Sequence, residues 1–98
     1  MAGWILTSGD EPPVVMRLTP GTMKTVGRTS RADFILDATL VSRVHCRLSA
    51  EPSDQLVVED LDSTNGTHVN GVRVDRAVLR TGDVVRIGRV DFRVAQAE

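Results

Sequence analysis

Three groups of residues carry side chains with chemistry to offer. They are Gly27-Arg28, Ser42-Arg43-Val44-His45, and Asp62-Ser63-Thr64-Asn65-Gly66-Thr67 with Asn70-Gly71 close behind. An arginine presents a planar fork of donors that matches a phosphate or carboxylate. Serine and threonine add hydroxyl donors, and asparagine adds an amide. Gathered on loops, these are the parts of a small anion receptor. Ser42 and His45 also raise the alternative of a nucleophile and its base. Three apart on a straight strand, they face opposite sides, so direct activation needs a bend. No Gly-x-Ser-x-Gly elbow or oxyanion loop accompanies them. A small serine hydrolase is therefore disfavoured, and no enzymatic activity is expected.

Other chemistries are weaker still. His45, Cys46 and His68 lack the spacing of a zinc site, and adjacent strand residues diverge. Asn65-Gly66-Thr67 formally matches a glycosylation acceptor, but no secretory signal supports it. There is no Walker loop and no Gly-x-Gly-x-x-Gly, so neither metal nor cofactor is expected. Cys46 alternates with Val44 and Leu48 and reads as a small core residue.

Composition narrows the partners. The 98 residues suit one domain spanning 1–98, with no linker or repeat inside it. Apolar residues make up 41% but aromatics only 3%, so Val, Leu and Ile must fill the core. A formal net charge of −1 removes the electrostatic term on which non-specific nucleic-acid binding rests. The few aromatics leave no base-stacking platform. One cysteine cannot form an internal disulfide, and no apolar run approaches membrane-spanning length. The expectations are no nucleic acid, no membrane, a cytoplasmic location and a monomer.

The elements that position these residues read as strands. Val44, Cys46 and Leu48 alternate with His45, Arg47 and Ser49, and Val90, Phe92 and Val94 alternate with Asp91 and Arg93. That is the period of a half-buried strand. Short β-branched runs lie between turns at Pro20-Gly21, Glu51-Pro52-Ser53-Asp54, Thr81-Gly82-Asp83 and Gly88-Arg89. Asn65-Gly66 and Asn70-Gly71 are strong hairpin signals, because both residue types tolerate positive φ. No apolar stripe has helical spacing. The pattern is that of an all-β sandwich or barrel.

In this order and spacing, the three groups resemble the signature of the forkhead-associated (FHA) domain family, over about Trp4 to Val94. The resemblance implies an eleven-stranded, antiparallel-type β-sandwich that binds phosphothreonine peptides through loops at one end, without catalysis. Carried over, it implies that Arg28 pairs with the phosphate while Ser42 and Thr64 donate hydroxyl hydrogen bonds to it. Asn65 holds the peptide main chain, and Arg43 flanks the phosphate or the peptide backbone. Gly27, His45, Gly66, Asn70 and Gly71 support the loops. The loop before the serine places Leu40 and Val41 as candidates for peptide specificity. The implied partner is a phosphothreonine-containing protein downstream of a Ser/Thr kinase. The alternative is a β-sandwich interaction domain that ignores phosphate.

Overall fold

The computed structural model describes residues 2–97, so the two end residues of the 1–98 range lie outside it. Eleven strands are present: β1 Trp4–Ser8, β2 Val15–Leu18, β3 Thr22–Gly27, β4 Phe34–Ile35, β5 Cys46–Ala50, β6 Leu56–Asp60, β7 Thr67–Val69, β8 Val72–Val74, β9 Arg76–Leu79, β10 Val84–Ile87 and β11 Val90–Gln96. They form a six-stranded sheet in the order β2-β1-β11-β10-β7-β8 and a five-stranded sheet in the order β4-β3-β5-β6-β9. Among the described residues only the short β3–β4 pair is parallel; the other pairings are antiparallel. The all-β sandwich expected from the sequence is the fold observed. Among the described residues no helix is long and apolar enough to cross a membrane.

Alternation drives the packing. β1 and β5 both bury every second residue. Leu6, Val85 and Phe92 from one sheet and Leu48, Leu56 and Val58 from the other are fully enclosed between the layers. Each such side chain contributes about 1.5–3 kcal/mol relative to exposure. With few aromatics available, branched aliphatics fill most of this space.

Register brings the three candidate groups to one end. Val26 at the end of β3 lies opposite Cys46 at the start of β5, and Cys46 lies opposite Asp60 at the end of β6. The chain therefore leaves β3, enters β5 and leaves β6 along a single edge. Gly27 sits where two of these segments nearly touch: a Cβ there would lie 2.2 Å from the Arg43 carbonyl oxygen. No other residue fits that approach.

His45 is a buried structural residue rather than a member of the alternating strand. β5 begins at Cys46, the chain bends before it, and His45 and Cys46 are both fully buried. The main chain of His45 still joins the sheet, its N–H donating to the Val26 carbonyl at 2.8 Å. The bend, not the strand period, sets the direction of its ring.

Cys46 is a core residue, as expected. Burial, reinforced by the Asp60 charge and opposed by a hydrogen bond with Thr67, pushes its thiol up to about 12. Thiolate is the reactive species. A thiol-specific disulfide reagent should therefore leave the folded protein unmodified at mildly alkaline pH and label it completely after denaturation. Rapid labelling under native conditions would contradict this placement.

Candidate functional site

Arg28, Ser42, Arg43, Thr64 and Asn65 line one cavity of about 640 Å³ at the end of the sandwich. Arg28 is anchored without being neutralised. Its N–H donates to the Ser42 carbonyl at 2.9 Å, and its Nε donates to the Val41 carbonyl at 3.0 Å. The terminal guanidinium nitrogens are left for a ligand. The side-chain ion pairs among the described residues are Arg47–Glu59 and Arg86–Asp91, so no carboxylate claims Arg28.

Ser42 is half-buried, and its Oγ accepts the Thr64 N–H at 3.1 Å. An accepting hydroxyl keeps its own hydrogen to donate. Thr64 itself is exposed at the rim. The Asn65 amide donates from Nδ2 to the Leu40 carbonyl at 3.2 Å, closing the third side. Leu40 is exposed and holds a left-handed φ of 70°, uncommon for a residue with a Cβ.

Behind the cavity lies a buried polar frame. Nδ1 of His45 accepts the Ser42 N–H at 3.0 Å, so the ring proton sits on Nε2 and donates to the Gly66 carbonyl at 2.9 Å. Both nitrogens are thereby used, and neither is free to act as a base on Ser42. A second frame centres on Asp60. Its Oδ1 accepts the Ser63 and Thr67 hydroxyls at 2.6 and 2.8 Å, and its Oδ2 accepts the Ser63 N–H at 3.1 Å. The Ser63 Oγ in turn accepts the Gly66 N–H at 2.9 Å. Gly66 holds φ +85°, and a Cβ there would come within 2.7 Å of the Arg73 side chain.

Gly27, His45 and Gly66 all lie in the closely packed loops behind the cavity. Two expectations need correction. Val41 is 3% exposed and packs into the core, so its carbonyl serves Arg28 while its side chain is unavailable to a peptide. Asn70 and Gly71 lie at the far end of β7, because that strand carries the chain away from the cavity. There Asn70 donates to Asp83 at 3.0 Å and accepts the Val84 N–H at 2.9 Å, bracing the β9–β10 turn.

The sequence reading missed Arg31, which lines the cavity, and the Asp60 frame. The spacing Asp60 to Ser63 was a usable signal, since an aspartate commonly accepts a backbone N–H a few residues on, whereas Thr67, seven residues away, carried none.

Asp60 also makes acid stability a test. Burial acts on it most strongly and favours the neutral acid. The hydroxyls of Ser63 and Thr67 and the Ser63 amide together outweigh burial, holding the carboxyl below its ordinary 3.8. A carboxylate more acidic folded than unfolded stabilises the fold above the unfolded value, and the gain is lost as pH falls through the folded value. Asp60→Asn should lower Tm at neutral pH and flatten the decline of Tm below about pH 4. A variant with a wild-type acid limb would contradict this role.

Comparison with known proteins agrees with this geometry. The FHA domain family matches the chain over residues 24–88. The glycogen accumulation regulator GarA of Mycolicibacterium smegmatis is 46% identical over 63 residues, covering 64% of this chain and 39% of that protein. The chain spans well under half the length of the curated relatives it first matches. A structure from a structural and functional analysis of phosphothreonine-dependent FHA domain interactions matches with a TM-score of 0.85 at 34% identity, covering 94% of each chain. The FhaA FHA domain complexed with the intracellular domain of Rv3910 matches with a TM-score of 0.85 at 34% identity, over 94% of this chain and 99% of that one. With strands, loop frame and family match in agreement over most of its length, the chain belongs to the FHA domain family.

Proposed function

We propose that residues 1–98 act as one phosphothreonine-dependent interaction domain, binding a protein marked by a Ser/Thr kinase. The observation that carries this reading is Arg28, held at Nε by the Val41 carbonyl, with its terminal nitrogens free beside the Ser42 and Thr64 hydroxyls. A phosphothreonine brings about −1.5 to −2 charge and three acceptor oxygens. Arg28 meets the charge, and Ser42 and Thr64 donate to the remaining oxygens. Arg43 flanks the phosphate, while Asn65 offers its amide to the peptide main chain. Leu40, at the exposed rim, is the side chain that reads the peptide. The relatives support this reading, since one solved neighbour comes from work on phosphothreonine-dependent interactions and another holds the intracellular domain of a partner.

The role requires no catalysis. Both His45 nitrogens are committed to the loop frame, which leaves Ser42 without an imidazole base. The proposed setting is the cytoplasm, with a monomeric domain and neither nucleic acid nor membrane as partner. One observation favours the phosphate-independent alternative. Met23 and Val78 are 59% and 43% exposed, in one row with Ser49 and Val57 across the outer face of the five-stranded sheet. That reading leaves Arg28 and its cavity without a role.

Calorimetric titration with matched phosphothreonine and threonine peptides tests the proposal. Only the phosphorylated peptide should bind. Arg28→Ala should cost about 2–5 kcal/mol of affinity, more than a tenfold loss. Because Arg28 is exposed, Tm should hardly move. Near-wild-type affinity in the variant, or equal binding of both peptides, would overturn the reading.

A further inference from the structure

The phosphate seat uses only part of its cavity. About 640 Å³ is a volume suited to a drug-sized ligand, much larger than one phosphate group. The segment from Arg28 to Asp33, which links β3 to β4, contributes Arg28 and Arg31 to the cavity wall, which Arg43 also lines. This segment is fixed at several points. The N–H and Oγ1 of Thr29 both donate to the Arg43 carbonyl, at 3.4 and 3.3 Å. Ala32 is buried, and its N–H donates to the Thr29 carbonyl at 3.0 Å.

The segment's one carboxylate is committed elsewhere. Asp33 accepts the Thr25 N–H and hydroxyl through Oδ2, at 2.9 and 3.2 Å, which ties it to β3. Arg31 therefore gains no partner from its own loop. Neither Arg31 nor Arg43 belongs to the ion pairs found among the described residues. The cavity wall carries three guanidiniums against a single carboxylate, Asp62. A phosphate seated on Arg28, Ser42 and Thr64 leaves Arg31 on the cavity wall unpaired.

Building on the phosphothreonine reading, we infer that Arg31, on the cavity wall it shares with Arg43, forms a second anion subsite. It takes an acidic group of the same peptide close to the phosphothreonine. That group is either a carboxylate side chain or a second phosphorylated residue, since a guanidinium fork accepts both. Arg31 is exposed, so the contribution is modest and is screened by salt.

The test compares three sets of phosphothreonine peptides: alanine-flanked, with Asp or Glu scanned through the flanking positions, and with phosphoserine scanned likewise. Each set is titrated against wild type and Arg31→Ala at low and high salt. At low salt, a carboxylate at the right position should tighten wild-type binding about two- to fivefold, as an exposed ion pair does. A phosphoserine, with greater charge, should do so more strongly. Arg31→Ala should lose these gains, while its affinity for the alanine-flanked peptide stays within about twofold, the lower end of what an exposed pair contributes. A gain from both acids assigns a general anion subsite, and a gain from phosphoserine alone assigns a second phosphate. Wild type that binds all three sets equally, or a variant that keeps the gains, overturns the inference while the phosphate seat stands. Failure of every phosphothreonine peptide to bind wild type overturns both.

Discussion

One buried imidazole joins the two loops on which the proposed phosphate seat depends. Through Nδ1 His45 holds the amide of Ser42, and through Nε2 it holds the carbonyl of Gly66. Its own main chain is held by Val26 and in turn receives the Leu61 N–H at 2.9 Å. Three stretches of chain, β3, the segment before β5 and the β6–β7 connection, thus meet at one fully buried residue. Leaving such partners unsatisfied costs about 1–3 kcal/mol each, enough to define a single arrangement of the loops. The 3.1 Å bond from the Thr64 amide to the Ser42 hydroxyl follows from that bridge.

The Asp60 frame does the same work from the other side. It pulls Ser63, Gly66 and Thr67 into a closed turn whose outer edge presents Thr64 and Asn65. Rigid strands fix the loop ends, hydrogen bonds fix the loop interiors, and the exposed rim is free to vary in sequence. Leu40 fits this division of roles. Its left-handed backbone carries a strain of about 1–3 kcal/mol, and the Asn65 amide on its carbonyl helps to hold it.

Much of this was legible in the sequence, and the exceptions have physical causes. Strands such as Cys46–Ala50 and Val90–Gln96 follow from period-2 alternation, and the turns between them follow from Gly, Pro and Asn-Gly. The grouping of Arg28, Ser42 and Thr64 was legible only as a pattern, because adjacency across β3, β5 and β6 depends on register. The bracing role of His45 was legible from its place between loops, but its inward direction was not set by alternation, because the chain bends before Cys46. Val41 and Leu40 could not be told apart, since one positive φ decides which side chain faces inward. Asn70-Gly71 resembled a partner of Asn65-Gly66, yet three residues of β7 separate their surroundings. Arg31 carried no local signal at all, because its place on the cavity wall comes from loop geometry.

The central claim is that a preformed loop seat, framed by His45, receives a phosphothreonine. Amide chemical-shift mapping by nuclear magnetic resonance tests it most directly. On addition of a phosphothreonine peptide, the amides of Arg28, Ser42, Thr64, Asn65 and their loop neighbours should shift. Those of the far-end turn at Asn70 and of the sandwich core should stay in place, and the unphosphorylated peptide should shift none. Shifts centred on the outer face around Met23 and Val78, or equal shifts with both peptides, would contradict the account.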